Sequence, residues 1–211
     1  AMRETGGKAA LRDPGDELIR RMMSVCLGED VPPEYAPMVR EEMALVPRHL
    51  DWGSDRPPRE ALADRKVLIV GAGVFGIALA VQLDKLGIPF EIVEKNEDIG
   101  GTWHENRYPG CGVDTPNHAY SFSFGPRYRW SRYFSPREEI EDYLHIIVER
   151  YGLRDRIRFN TRLTAARWDA EARRWRATLE GPEGSGQREA WALVSAIGQL
   201  NDPAIPNIAG L

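Results

Sequence analysis

The stretch KVLIVGAGVFG (66–76) constrains the fold of this chain more than any other. A short apolar run, Val67 to Val70, stops at a glycine, and Gly71, Gly73 and Gly76 then fall at the GxGxxG spacing. IALAVQLDKLG continues with the pattern of a helix, so the segment predicts strand, tight turn and helix in succession. Each glycine has a separate task in such a turn. The first permits the tight bend, the second lets backbone approach a pyrophosphate, and the third lets helix and strand pack closely. Phosphates would meet the free amides and the positive dipole end of the helix. Glycine turns occur in many sheets, so the residues downstream of this one decide its meaning.

PFEIVEK (89–95) reads as the second strand of a βαβ unit and carries Glu94 near its end. In a dinucleotide fold, an acid about 20 residues past the glycines accepts the hydroxyls of an adenosine ribose. The alternative for Glu94 is a solvated strand-end charge. A carboxylate there also repels a 2′-phosphate, so the site is expected to take an adenosine of the FAD or NAD type and not NADP.

Composition narrows the class. The chain has 211 residues, 42% hydrophobic and 28% charged, with a net charge of -4, which is ordinary for a globular protein. No concentrated basic patch suggests a nucleic-acid partner. No apolar run reaches the roughly 18 residues of a bilayer-spanning helix, and AMRETGGKAALRDPGDE lacks the apolar core of a signal peptide. Cys26 and Cys111 show no CxxC or zinc spacing, which fits reduced thiols and a cytoplasmic location. Cys111, in a glycine-rich loop, is a reactive-thiol candidate without an evident base. No metal site is expected, since His145 has no second ligand beside it. The oligomeric state is not legible.

Along the chain, residues 1–14 read as disordered. DELIRRMMSVCLG places Leu18, Ile19, Met22, Met23 and Cys26 on one helical face, and EYAPMVREEMALV does the same for Met38, Val39, Met43 and Val46. Residues 47–65 read as a linker, with a boundary near residue 60 between a helical extension (1–60) and a dinucleotide domain (61–211). Residues 96–124 form a long loop rich in glycine, proline and aromatics, and such a loop usually carries function. Residues 136–151 are expected to be a helix with Ser135 and Glu138 as a capping box, Pro136 at its first position, and Ile140, Leu144, Ile147 and Tyr151 as its buried stripe. The tail predicts strands at IRFN, RLTAARWD and WRATLE, a GPEGSGQ loop, and a last strand EAWALVSAIG ending at Gly198. Arg173, Arg174 and Arg176 read as a solvated edge. The expected fold class is α/β: a Rossmann-like FAD/NAD(P)-binding (ββα three-layer) domain with an antiparallel β-meander and a small N-terminal helical extension.

The segment GGTWHENRYPGCGVD (100–114) closely resembles the FAD-binding segment of class B flavoprotein monooxygenases of the Baeyer–Villiger type, where GG(T/V)WxxNxYPGxxxD recurs. SAIGQLNDPAIPNIAGL resembles the same family's ASGQLxxPxxPxxxGL stretch. Flavin monooxygenases of the drug-oxidising type share the glycines but not the YPG-to-Asp spacing. The helical extension resembles the layout of the 4-hydroxyacetophenone monooxygenase branch.

This resemblance implies roles for individual residues. Gly71, Gly73 and Gly76, with the backbone of Val74 and Phe75, would hold the FAD pyrophosphate, and Glu94, followed by Lys95, would bind the adenosine ribose. Gly101, Thr102 and Trp103 would line the flavin and its ribityl chain, Asn106 would brace the loop, and Tyr120 would contact the flavin region. Asp114, the one catalytic candidate, would sit near the isoalloxazine and help position an arginine that lies beyond Leu211. Leu163 would present backbone to the adenine, and Gly198 would admit the cofactor close to the last strand. Where the family has WYWN, this chain has Trp103, His104, Glu105 and Asn106, which would bring polar groups near the flavin loop; His118 would be a further polar neighbour.

The implied reaction uses NADPH, FAD and O2 to insert one oxygen atom into a ketone through a C4a-peroxyflavin, giving an ester or lactone. The alternatives are oxygenation of nitrogen or sulfur, or a non-catalytic flavin-binding fragment. Only one dinucleotide glycine motif is present, and the NADP domain and the fingerprint FxGxxxHTxxW are not. The expectation is therefore an N-terminal fragment or truncated descendant that does not turn over a ketone alone.

Overall fold

Strand β1 (Val67–Val70) is short and apolar on both faces, which is the signature of a central parallel strand. It lies in a computed structural model that describes residues 13–43, 45–46, 51–126, 128–200 and 206–210. The chain divides into two compact units between residues 50 and 51, earlier than the composition break near residue 60.

In the first unit, helices α1 (Asp16–Leu27) and α2 (Tyr35–Glu42) pack together. Its buried residues are Ile19, Val31 and Ala36, whereas Leu18, Met22, Cys26, Met38 and Met43 are exposed. The buried stripe is thus narrower than the helical spacing predicts, because two short helices have too little facing surface to cover a five-residue face. The expectation of disorder for residues 1–14 falls mostly outside the described residues. Residues 47–50 of the expected linker are outside them as well.

The remainder of that linker is structured and belongs to the second unit. It holds a 3₁₀ turn (Gly53–Asp55) and helix α3 (Arg59–Ala63) with Leu62 buried. Trp52 Nε1 donates to the Leu86 carbonyl (2.9 Å), a tie that no local sequence pattern encodes.

Helix α4 (Val74–Leu86) follows the glycine turn and ends at Gly87, whose φ of 72° supplies the left-handed cap. Strand β2 (Phe90–Val93) then pairs parallel to β1. After it come the four-residue helix α5 (Thr102–Glu105), helix α6 (Arg137–Arg150) and strand β3 (Ile157–Arg158). The meander is β4 (Arg162–Asp169), β5 (Arg174–Gly181) and β6 (Gly184–Ala190), and β7 (Ala192–Ser195) closes the set. The parallel sheet has the order β3-β2-β1-β7, and the antiparallel sheet the order β4-β5-β6.

Side-chain alternation in β1 and β2 sets the three layers. Val67, Ile69, Phe90 and Ile92 face a core shared with Ile77, Ala80 and Val81 of α4 and Ile140, Leu144 and Ile147 of α6. Leu68 and Val93 face the other way, onto Ala177, Leu179 and Ala190 of the meander. The result is the expected meander, sheet and helix arrangement.

Several local readings are corrected. The GPEGSGQ segment is a tight hairpin, because β6 starts at Gly184, directly after Pro182 and Glu183. EAWALVSAIG is two strands: Ala190 ends the meander, and Trp191, whose amide donates to the Lys66 carbonyl (2.8 Å), hands the chain to the parallel sheet. The capping box at Ser135 is not formed. Ser135 Oγ donates to Glu139, Ser135 N donates to Asn117 Oδ1 (3.1 Å), and Glu138 pairs with Arg137 instead. Pro136 precedes the helix as its cap residue, with extended backbone. Arg174 pairs with Asp64 and Arg176 with Asp169, so neither is a simply solvated edge charge.

Candidate dinucleotide and flavin site

The glycine turn is locked from three sides. Gly71 N donates to the Val93 carbonyl (2.8 Å), Ala72 N to Glu94 Oε2 (2.6 Å), and Gly100 N to the Ala72 carbonyl (3.1 Å). Gly71 has φ of 106°, and a Cβ there would lie 2.7 Å from the Ala196 carbonyl oxygen, so the position needs glycine on both counts. At Gly76 a Cβ would fall 1.9 Å from the Gly71 oxygen, which is the close helix–strand packing of the third glycine.

Gly73 and Gly101 face one another: a Cβ on Gly101 would stand 3.0 Å from the Gly73 Cα. Two unadorned backbones thus meet beside the start of α4. There the first intrahelical bond runs from Ile77 N to the Gly73 carbonyl (3.0 Å), and Gly73 gives no side-chain cap. The amides of Val74, Phe75 and Gly76 therefore have no acceptor among the described residues. The Phe75 ring is 73% exposed next to them. Such a cradle fits a pyrophosphate in both shape and charge.

Glu94 is 3% exposed and follows β2. Its Oε2 accepts from Ala72 N and its Oε1 from Asn96 N (3.0 Å), which leaves each oxygen acceptor capacity for a hydroxyl. Lys95 pairs with Glu105 (2.9 Å), and Asn96 Nδ2 also donates to Glu105 (2.6 Å). Leu163, on β4 near a bulge, packs against the meander-side core.

The long loop is not featureless. It contains α5, started at Gly101 with φ of 57°, and Gly112 bridges to Pro136. Asn106 Nδ2 donates to the carbonyl (2.9 Å) and hydroxyl (3.1 Å) of Thr102. Trp103 is buried, donates from Nε1 to the Tyr120 hydroxyl (3.1 Å), and meets that ring edge-on. Arg137 Nη1 donates to the Trp103 carbonyl (2.9 Å), tying α5 to α6.

His104 and Glu105 are both taken into polar contacts, Glu105 beside Glu94 through Lys95 and Asn96 and His104 on two carboxylates. His104 Nδ1 lies 2.8 Å from Glu141 and Nε2 lies 3.3 Å from Glu97. The Glu97 carboxyl is held below the usual carboxylate range by its own amide and by His104. Asp98 is lowered too: burial works against this, and the Ile99 amide, His145 and Arg154 outweigh it.

The structure brings together Gly71, Gly73, Val74, Phe75, Gly76, Glu94 and Gly101 around one turn, with Thr102 next in the chain. Asp114 stands apart, exposed and in contact with Thr115 (3.5 Å). Gly198 is exposed after β7, with φ of 75° and open space where a Cβ would be. His118 is exposed and tilts against Tyr133, while Cys111 is buried beside Tyr108. His145 pairs with Asp98 (3.5 Å), and no cluster of metal-ligating side chains occurs among the described residues.

Sequence reasoning missed Gly100, Ala72 and Arg137. Gly100 was findable, because the Gly100–Gly101 pair needs φ of 123° and 57° in succession. Ala72 acts through its backbone and Arg137 through a guanidinium that packing brings to the Trp103 carbonyl, and neither carries a sequence signal. A cleft of about 400 Å³ lies elsewhere, between Arg158, Leu179, Gly181 and Arg188, away from the glycine turn. Its lining does not include the amides of Val74, Phe75 and Gly76.

A parallel sheet whose first strand feeds a glycine turn, with a buried acid after the second, defines a Rossmann-type dinucleotide-binding domain. Accordingly, residues 69–136 match the NAD(P)-binding Rossmann-like domain family. The chain is 36% identical over 208 residues to an uncharacterized monooxygenase, y4iD, of Sinorhizobium fredii, covering 98% of this chain and 30% of that protein. It is 42% identical over 147 residues to a Baeyer-Villiger monooxygenase of Streptomyces coelicolor, covering 69% of this chain and 28% of that one. Among solved structures it is similar to OTEMO in complex with FAD and NADP (TM-score 0.64, 36% identity, 69% of this chain and 27% of that chain). The chain is therefore related to the Baeyer–Villiger and FAD-binding monooxygenases, and it spans less than a third of the length of these relatives.

Proposed function

We propose that this chain holds FAD for an NADPH-dependent monooxygenase that places one oxygen atom of O2 into a ketone, giving an ester or lactone. The observation that carries the flavin part is the apposition of Gly73 and Gly101 beside the amides of Val74, Phe75 and Gly76, which have no acceptor among the described residues. The relationship to Baeyer–Villiger monooxygenases supports the ketone part.

When bound, the flavin supplies the redox and oxygen chemistry. The chain's own residues hold and orient it. The turn from Gly71 to Gly76 would cradle the pyrophosphate, and the spare lone pairs of Glu94 would accept the ribose hydroxyls, with Lys95 alongside. Gly101, Thr102 and Trp103 would wall the flavin and its ribityl chain, kept in place by Asn106 and Tyr120. Leu163 would meet the adenine through its backbone, and Gly198 would leave room at the end of β7. The Asp114 carboxylate, being exposed, can receive a guanidinium from outside these residues. The free thiols of Cys26 and Cys111 accord with a cytoplasmic location, and no helix of the described residues is long and apolar enough to cross a membrane.

A visible spectrum tests the reading. The purified chain mixed with FAD and freed of excess cofactor should keep flavin bands near roughly 375 and 450 nm. A chain that stays colourless overturns the flavin assignment. Product analysis with NADPH and FAD, ester from a ketone set against sulfoxide from a thioether, separates ketone oxygenation from sulfur oxygenation.

A further inference from the structure

The cluster behind α5 is the polar network least explained by cofactor binding. His104 sits on the same four-residue helix as Thr102 and Trp103, and its side chain is 9% exposed. Both ring nitrogens face carboxylates: Glu141 of α6 at 2.8 Å and Glu97 of the preceding turn at 3.3 Å. A neutral imidazole has one N–H, so only the imidazolium can donate to both.

Other charged groups face the ring from each neighbouring element. Arg107 lays Nη2 3.4 Å from Nδ1 and 3.5 Å from Nε2, a cation that works against the ring proton, and donates from Nε to the His104 carbonyl (2.9 Å). On α6, Arg137 binds Glu141 Oε2 (2.7 Å), and its Nε lies 3.2 Å from Glu138. Asp98, beside Glu97, is taken by His145 and Arg154. The carboxylates Glu97, Glu138 and Glu141 thus meet two guanidiniums, those of Arg107 and Arg137, and the His104 ring. Glu141 also organises Arg137, which holds the Trp103 carbonyl. The state of His104 therefore reaches the segment that meets Gly73.

We infer that His104 is a positioning residue: its protonated ring clips the Gly100–Asn106 segment to α6 through Glu141 and to the preceding turn through Glu97, and loss of that proton loosens the segment and weakens FAD binding. The inference rests on the flavin reading. Without that proton, one of the two carboxylates loses its donor and the cluster carries one more net negative charge.

The test uses the 211-residue chain, its His104→Gln variant and its Glu97→Gln variant. His104→Gln removes the titration. Glu97→Gln lies at an exposed position and leaves a neutral ring with Glu141 alone to satisfy. Two quantities are measured from pH ~6 to pH ~8.5. One is hydrogen-exchange protection of the Trp103, His104, Glu105 and Asn106 amides, all bonded within this segment. The other is FAD affinity by fluorescence titration.

Protection and affinity should each fall about tenfold across this range in the wild type and less than about twofold in both variants. Flat wild-type profiles, or the same fall in wild type and His104→Gln, overturn the clip. A chain that takes up no FAD at any pH overturns the flavin reading, and with it the clip's effect on affinity. FAD uptake with identical pH profiles in wild type and His104→Gln overturns the clip alone.

Discussion

Gly73 and Gly76 share a motif but answer to different constraints. At Gly76 a Cβ would lie 1.9 Å from a backbone oxygen, so Gly76→Ala forces helix and strand apart and should cost about 1–3 kcal/mol in urea denaturation. At Gly73 the backbone has φ of −81° and a Cβ would rest 3.5 Å from the Gly101 Cα, an ordinary contact. Gly73→Ala should therefore fold with a loss under about 1 kcal/mol yet bind FAD at least about tenfold more weakly, because the methyl enters the cradle. Equal stability losses in the two variants would count against this division. The glycine spacing was legible from the sequence because it is a local backbone requirement. The Gly73–Gly101 contact was not, since it joins positions nearly thirty residues apart that no local preference links.

At the scale of elements, the long loop shows how a pattern without periodicity still builds structure. Its path is fixed by buried polar contacts. Asn117 is 3% exposed, donates to the Arg132 carbonyl (2.6 Å) and Ser135 Oγ (2.7 Å), and accepts from Ser135 N. Asn117→Ala should cost about 2 kcal/mol by orphaning these groups, read as a lowered urea midpoint; an unchanged midpoint would show the network to be dispensable. The Ser-Pro-Arg-Glu run at 135–138 resembles a capping box, but Ser135 is drawn to Asn117 and Glu139 by contacts that sequence spacing cannot reveal. Similarly, EAWALVSAIG holds no turn signal before Gly198, and only the change of sheet at Trp191 divides it. Helices α4 and α6 were legible because their periodicity records burial on one face, and the strands of the βαβ unit because a short apolar run bounded by turn residues marks burial on both faces.

For the whole molecule, several carboxylates that join separate segments have lowered pKa values. Glu91 of β2 is the best placed: burial opposes the shift, but Lys66 (2.5 Å) and Arg158 (3.5 Å) outweigh it. Asp98 and Glu139 shift the same way. A carboxylate whose folded pKa lies below its unfolded one adds stability above the unfolded value and loses it as pH falls through the folded value. The urea midpoint should therefore decline as pH drops below about 4. Lys66→Met, which removes the nearest cation from Glu91, should move that decline to higher pH, and an unshifted decline would argue against the Glu91 contribution.

The sequence by itself determined the strand, turn and helix of the dinucleotide unit, the acid after the second strand, and the relationship carried by residues 100–114. Each of these is written in spacing and residue type, which act locally. Tertiary structure alone decided that Gly101 meets Gly73, that His104 and Glu105 are drawn into ion pairs, and that residues 51–65 join the second unit. Those outcomes depend on which partners packing brings within hydrogen-bonding reach, and distance in space is not encoded in spacing along the chain.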